Sequence, residues 1–450
     1  MQVSDRPDGV SRRNALRLGL GTVGALALPG LASVPGLAAE THAPVGTWPA
    51  GAQGDSVFIG ITTPLTGPYS ADGKDHQLGY ELAIAEINAG GGTAAKWGLK
   101  GKGVLGKQIR YAITDTETKP NVAVQAQTRF ISQNKAIMIS GCVASSTAVA
   151  LEELAQREKV LNMVGASGSN ATTGQDCQRY AFRSQPSAYM VSKALVPVLV
   201  KQMGKGLKVA YLTPDYTYGH SLFDSISGAG KADGWTVVSN QVVPLGTSDF
   251  SSALLNIANS GAQLFVNIAF GADAVASTKQ AGQFGVLKKM KMTAPNISAF
   301  QAKEVGGGLM EGVYGTMDFW WTLEDKYPLA KDFVQAFHKK NNYYPRWDAH
   351  IGYAQTYVWA LAVERANSFY PPDVIKALEA SKSNPFDSTL GKVWYRAEDH
   401  QLVRPVPVLV GKVASAMKNP EDFYELVEVV PGEPLLPPPD MFGCHLGAYT

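Results

Sequence analysis

The feature that most constrains this chain is a rhythm. From residue 56 to about residue 284, short apolar runs of strand length alternate with amphipathic segments of helix length. Residues 56–62, reading SVFIGIT, form the first expected strand. Residues 77–88 carry Leu78, Leu82, Ala85 and Ile87 at helical spacing and stop at Gly90-Gly91-Gly92. Strands follow at 108–113, 136–140 and 160–164, with helices at 121–132 and 146–157 between them. The pattern then resumes with strands at 208–212, 236–242, 264–268 and 291–293, and helices at 189–202, 219–229, 250–259 and 272–284. Strands separated by helices of this length build βαβ units and mainly parallel sheets. About ten strands overfill one open sheet, so the expected architecture is α/β with two doubly wound lobes. The first sheet ends near residue 184, and Arg183-Ser184-Gln185-Pro186 reads as the segment crossing to the second. Two such lobes turn their strand ends toward a shared cleft, where α/β folds bind ligands.

The first 39 residues read differently. Arg12-Arg13 and Arg17 precede an apolar run from Leu18 to Leu28, and small residues continue to Ala38-Ala39. That order is the order of an export signal, and the paired arginines are those of the twin-arginine class. The run of about 11 residues is too short for the roughly 20 of a transmembrane helix. Cleavage is expected between Ala32 and Ala39, leaving an exported, periplasmic protein. Four of the 40 bases (Arg6, Arg12, Arg13, Arg17) and two of the 38 acids (Asp5, Asp8) lie in this segment, leaving 36 of each. A neutral body argues against a nucleic-acid partner, which calls for a basic stripe. Residues 40–54, rich in Pro, Gly, Ala and Thr, are expected to be a linker, and the proline-rich 429–450 an extended tail. Residues 327–367 are strongly helical, with Tyr343, Tyr344 and Trp347 between two helices. Of the three cysteines, Cys142 and Cys177 either pair, closing a loop of about 35 residues, or stay as two buried thiols. Cys444 is left over, free or competing for a partner.

Several residue sets, in this order and behind an export signal, resemble the type I periplasmic solute-binding proteins of the leucine/isoleucine/valine branch of ABC importers. They are the segment Ile59-Gly60-Ile61-Thr62-Thr63-Pro64-Leu65-Thr66-Gly67-Pro68, then Gly79-Tyr80-Glu81-Leu82-Ala83, and Glu86-Ile87-Asn88-Ala89-Gly90-Gly91. Ser140-Gly141 through Thr147, Cys177 with Phe182-Arg183, Tyr211 through Asp215 then Tyr218-Gly219, Asp249-Phe250-Ser251 and Met310-Glu311-Gly312-Val313 continue the match. It covers about 55–425. The resemblance implies two α/β lobes joined by three crossovers. Residues 55–185 with about 316–396 would form lobe 1, and 186–315 with about 397–428 lobe 2. It also implies a ligand-capturing protein that serves an ABC permease of the inner membrane. The expected partners are that permease and a small-molecule ligand, with no cofactor, metal or nucleic acid, and a monomeric state. The alternative is a sensor whose closed lobes dock on a membrane receptor or kinase.

Site residues follow by position. Ala144, Ser145, Ser146 and Thr147 open a helix after a strand, where free N–H groups and a partial positive charge suit a carboxylate. Ala166, Ser167 and Gly168 follow the next strand at the matching place. The facing lobe is expected to supply Tyr216 or Tyr218, Phe270 or Gly271, and Asn296, with Tyr69 on an apolar wall. Phe319-Trp320-Trp321 either joins that wall or packs at a hinge. Asn296 stands where amino-acid-binding relatives place a carboxylate for the α-ammonium. An amide cannot balance that charge, and a buried, unpaired ammonium is costly. Either Asp273 or Asp215 substitutes, or the ligand has no ammonium: an amide, a urea or a carboxylic acid, including aromatic ones.

Enzyme motifs fail on inspection. The seven histidines are scattered, and no His-Glu-x-x-His or zinc-spaced cysteine pair occurs. Gly165-Ala166-Ser167-Gly168 is one residue short of a nucleophile elbow. Gly228-Ala229-Gly230-Lys231 is followed by Ala232 and has Ser225 where a phosphate loop needs its first glycine. Asp348-Ala349-His350 reads as a helix start rather than a metal site.

Overall fold

Two sheets carry the molecule, the first all parallel and the second mixed, and eight of their twelve strands fall on the runs that the sequence marks out. The structure, a computed structural model, describes residues 42–449. The export signal expected over 1–39 and its cleavage region lie outside the described residues. The first sheet comprises β1 (Ser56–Thr63), β2 (Gln108–Asp115), β3 (Met138–Gly141), β4 (Leu161–Val164) and β5 (Ala181–Arg183). Its order is β2-β1-β3-β4-β5, and every pairing is parallel. Ile59, Ile61, Met138, Ile139 and Met163 are fully buried, as expected for strands covered by helices on both faces. The covering helices are α1 (Ser70–Ala89), α2 (Gly92–Trp97), α3 (Pro120–Asn134) and α4 (Ser145–Glu158).

After α5 (Ala188–Met203) the second sheet begins. Its strands are β6 (Lys208–Pro214), β7 (Thr236–Val243), β8 (Leu264–Asn267), β9 (Lys291–Asn296) and β10 (Tyr314–Thr316). Between them run α6 (Thr217–Lys231), α7 (Ser251–Ala258), α8 (Gly271–Gln283), α9 (Val286–Lys289) and α10 (Ala299–Val305). The chain then returns to the first sheet's side with α11 (Pro328–Asn341), α12 (Trp347–Ala366) and α13 (Pro371–Glu379). Tyr353 and Tyr357 of α12 both donate to Glu86 of α1, at 2.6 and 2.8 Å, which ties the two long helices together. A small antiparallel sheet follows, of β11 (Phe386–Ser388), β12 (Gly391–Tyr395) and β13 (Leu402–Val403). Finally β14 (Val406–Gly411) and β15 (Tyr424–Val430) rejoin the second sheet, whose order is β15-β14-β10-β9-β8-β6-β7. These last two strands run antiparallel at its edge. The chain thus passes between the sheets three times, after β5, after β10 and after β13.

Four expectations need correction. Residues 43–54 are not a loose linker. Val45 bridges Trp48, Thr47 Oγ1 donates to Ala136 O at 2.9 Å, and the Trp48 ring meets Tyr370 edge-on at 5.0 Å. Val45 and Trp48 supply apolar surface that the surrounding Pro, Gly and Ala residues masked. Helix α1 starts at Ser70 instead of residue 77, because its first turns bury the polar Asp72, Asp75 and His76 and so show no apolar stripe. Cys177 pairs with Cys444, not with Cys142, which is a buried free thiol on a different loop. The proline-rich tail is not detached from the core: Leu435 is buried in the cluster formed by α5, α6 and the second sheet. Among the described residues no helix is long and apolar enough to cross a membrane.

Candidate ligand site

The strand order reverses between β1 and β3 in one sheet and between β6 and β8 in the other, so the loops that follow these strands converge. Val143 and Ser145 follow β3; Ala166 and Gly168 follow β4; Gln185 lies on the first passage between sheets. Opposite them stand Tyr216 and Tyr218 after β6, Phe270 after β8, and Asn296 at the end of β9. Trp347, the first residue of α12, closes one side. Together these residues enclose a cavity of about 20 Å³. The two sheets' loops are therefore drawn together around a space of water-molecule size.

Direct contacts join the two sides. A Cβ at Gly168 would sit 2.4 Å from Cε2 of Tyr218, so the phenol ring lies on bare backbone. Gly271, at φ +58°, is matched across the cleft in the reverse sense: a Cβ there would meet Cδ1 of Tyr69 at 2.6 Å. The amide of Ala272 donates to Pro68 O at 3.2 Å, and Asn170 N and Nδ2 donate to Ser221 Oγ and Ser225 Oγ at 3.2 and 3.0 Å.

No residue lining the cavity carries a formal charge. Three helices begin at it: α4 after Ala144, α6 after Tyr216 and α8 after Phe270. None of these three N-cap residues makes a side-chain capping bond. The first-turn N–H groups of α4 and α6, with the partial positive charge they carry, suit an anion, whereas in α8 the Ala272 amide is taken by Pro68 O and Asp273 stands in the first turn. Ser145 Oγ accepts from Ser169 N at 3.2 Å, which leaves its hydroxyl hydrogen to donate. Burial holds the phenols of Tyr216 and Tyr218 above the ordinary tyrosine range, so both remain O–H donors. Asn296 Nδ2 donates to Tyr218 Oη, and Asn296 Oδ1 lies 3.5 Å from Thr316 Oγ1; the amide orients the tyrosine.

The remaining expected residues surround this centre. Tyr69 is fully buried behind Phe270, with ring centroids 5.2 Å apart, and Gly271 backs onto it. Ala144 is the buried N-cap of α4; Thr147 is buried in its first turn, and Ser146 is half-buried. Ser167 turns away, with its hydroxyl 2.7 Å from Thr172 Oγ1. Of the two substitute carboxylates, Asp215 is largely exposed and paired with His220 at 2.8 Å. Asp273 is buried beside Tyr69 and Tyr216, but its Oδ2 accepts from Gly246 N at 2.8 Å; burial pushes it up to about 6. Phe319-Trp320-Trp321 packs at the second passage: Phe319 stacks on His350 and Trp321 on Tyr344, with centroids 4.4 and 4.1 Å apart. Val143, Gln185 and Trp347 were not anticipated. The segments holding Gln185 and Trp347 were marked as a crossing and as an inter-helix stretch, but nothing in one sequence shows that they meet.

Beside Trp347 lies a buried acidic group. Asp72 and Asp348, in the first turns of α1 and α12, are neighbours, and Asp75 pairs with Arg346 at 3.0 Å and accepts from Tyr343. Burial, then the charge of Asp75, pushes Asp72 up to about 7, and burial with Asp72 and Asp75 drives Asp348 well above the carboxylate range. The apparent motifs dissolve in context. Gly228-Ala229-Gly230-Lys231 lies inside α6. His350 is held by Asp318 at 2.9 Å and Thr389 at 2.6 Å. Among the described residues no cluster is able to hold a metal ion.

Comparison with known proteins identifies the family and the fold. Residues 56–416 match the family described as periplasmic binding protein. A protein named Leu/Ile/Val-binding protein homolog 8, from Brucella abortus, is 27% identical over 339 residues, spanning 72% of this chain and 80% of that one. A periplasmic binding protein from Burkholderia mallei superposes with a TM-score of 0.76 at 25% identity, over 85% of this chain and 96% of that one. An amino acid ABC transporter substrate-binding protein from Pseudomonas fluorescens Pf-5 gives a TM-score of 0.77 at 23% identity, covering 87% and 100%. With the family match running over residues 56–416, most of its length, the chain belongs to the periplasmic binding protein family.

Proposed function

We propose that this chain is the exported solute-binding component of an ABC importer. It captures a small carboxylate that lacks an α-ammonium and delivers it to a permease in the inner membrane. The two moving bodies are lobe 1 (55–185 with about 316–396) and lobe 2 (186–315 with about 397–428), opening and shutting about the three passages. Ligand contacts made by both lobes favour the shut state. The observation that carries the reading is the cavity lining: the N-termini of α4 and α6 without side-chain caps, hydroxyl donors from Ser145, Tyr216 and Tyr218, and no carboxylate among the lining residues. An anion gains from all of these, whereas an ammonium buried there lacks a counter-charge. Phe270 and Trp347, with Tyr69 behind Phe270, suit an apolar or aromatic body on the ligand, which enters once the loops draw further apart, since they leave about 20 Å³ here. The expected signal and the family's name support a periplasmic location.

A thermal-shift screen of the mature protein tests this against aromatic and aliphatic acids, amides, ureas and amino acids. A ligand of the folded state raises the melting temperature by mass action. The reading predicts the largest shifts from ammonium-free acids. Largest shifts from aliphatic amino acids refute it.

A further inference from the structure

The C-terminal segment runs from one sheet's side to the other. It leaves β15 at Val430, in the second sheet, and Leu435 anchors it in the cluster of α5, α6 and that sheet. Pro437 O then accepts from Arg396 Nη1 at 2.6 Å, on the turn between β12 and β13. Phe442 meets Tyr189 of α5 edge-on at 5.9 Å and covers Gly174 in the loop after β4. Cys444 is bonded to Cys177 in that same loop. Beyond it, Gly447 O accepts from Arg179 Nε at 2.9 Å and Ala448 O from Gln156 Nε2 of α4 at 3.3 Å. Tyr449 Oη donates to Glu379 of α13 at 2.6 Å, and its ring lies under Arg179 at 4.7 Å. One end is thus fixed in the second sheet's core, and the other is covalently fixed to the first sheet's side. Residues 431–449 lie beyond the part matched by the family. The stretch between the anchors holds Pro437-Pro438-Pro439, which has little slack to give.

We propose that residues 431–449 are a fourth connection between the lobes, closed by the Cys177–Cys444 bond, that limits how far the cleft opens. The three main-chain passages alone leave the lobes free to hinge. A strap anchored on both sides makes any opening that separates Leu435 from Cys177 work against a covalent link. The third cysteine does not compete for either partner: Cys142 is buried, and burial pushes its thiol above the ordinary range. The inference rests on the reading that the lobes move, but not on which ligand they hold.

Hydrogen–deuterium exchange of the mature protein tests it, comparing the oxidised form, the form reduced by dithiothreitol, and the Cys444→Ser and Cys177→Ser variants. The dithiol gives two electrons and two protons to the bond, leaves two cysteine thiols and closes to its own disulfide. The reporter is the amide of Ala272, bonded to Pro68 O across the cleft; the strands before these two residues lie two places from β4 in one sheet order and four places from β15 in the other. The proposal predicts that Ala272 exchanges about tenfold faster, an opening equilibrium shifted tenfold, in the reduced form and in both variants, while Ile59 and Ile139 in the sheet interior stay protected. Unchanged exchange at Ala272 overturns it. So does acceleration confined to 170–180 and 431–449, which marks a local staple only. If the interior strands also lose protection in the variants, the reduced wild-type form decides. Ligand capture is read separately: an acid from the screen must restore protection at Ala272. If none does while reduction still accelerates exchange, the strap stands and the capture reading fails.

Discussion

The ring of Tyr218, from the helix that follows β6, rests on the backbone of Gly168, in the loop that follows β4 on the opposite sheet, at a distance that leaves no room for a Cβ. The pair sets how closely the two halves of the cleft approach. Asn296 holds the phenol at its oxygen end, so ring, glycine and amide form one gauge across the cavity.

Gly168→Ala tests that gauge. The added methyl would lie 2.4 Å from a ring carbon of Tyr218, so the two loops must move apart at the cavity while the sheet cores away from it are untouched. The expected outcome is affinity for the best acid lowered at least tenfold, about 1.4 kcal/mol, with the melting temperature of the ligand-free protein changed little. Calorimetric titration and a melting curve measure both.

Asn296→Asp tests the charge argument. The new carboxylate replaces the Nδ2 that donates to Tyr218 Oη with an acceptor, and places a negative charge beside the anion of an acid ligand, where like charges repel. Affinity for acids should fall by about a hundredfold, and binding of ammonium-bearing amino acids should rise. Titration with both classes is the check; acids bound equally well by the variant would show that Asn296 does not face the ligand.

Ser145→Ala removes the acceptor of Ser169 N and a donor to the cavity, both beside the α4 N-terminus. A loss of about 1–2 kcal/mol in ligand affinity is expected, with a stability change no larger. A loss in stability alone would assign Ser145 to loop packing.

The buried pair Asp72 and Asp348 predicts a pH dependence. Both carboxyls are raised, so between the ordinary aspartate value near 4 and about 7 the folded state binds more protons than the unfolded one. Stability from this pair therefore falls as pH rises through that window. Asp348→Asn should raise the melting temperature at pH 8, with the gain shrinking toward pH 4. A gain independent of pH would mean that the pair does not share this titration.

The architecture was legible because buried parallel strands show unbroken apolar runs, as in Ile59–Ile61 and Leu264–Val266, and their helices show clear stripes. The apolar stripe shows only the later turns of α1, because Asp72, Asp75 and His76 of its first turns are buried for reasons the stripe does not encode. In the site, the residues placed at strand ends (Ser145, Gly168, Tyr218, Phe270, Asn296) do converge, since a βαβ order fixes where such ends lie. Trp347 and Gln185 come from later or crossing segments, whose position depends on how the chain returns between sheets. The Cys177–Cys444 pairing spans 267 residues, a separation at which spacing says nothing about proximity.

The most direct test compares two ligands that differ only in the ammonium. Leucine and 4-methylpentanoate share one carbon skeleton and one carboxylate. Isothermal titration of each into the mature protein at pH 7 isolates the charge that the cavity lining leaves unbalanced. The account predicts that 4-methylpentanoate binds at least tenfold more tightly than leucine. Tighter binding of leucine would contradict it and move the ammonium's counter-charge to a carboxylate outside the lining, with Asp273 the first to mutate.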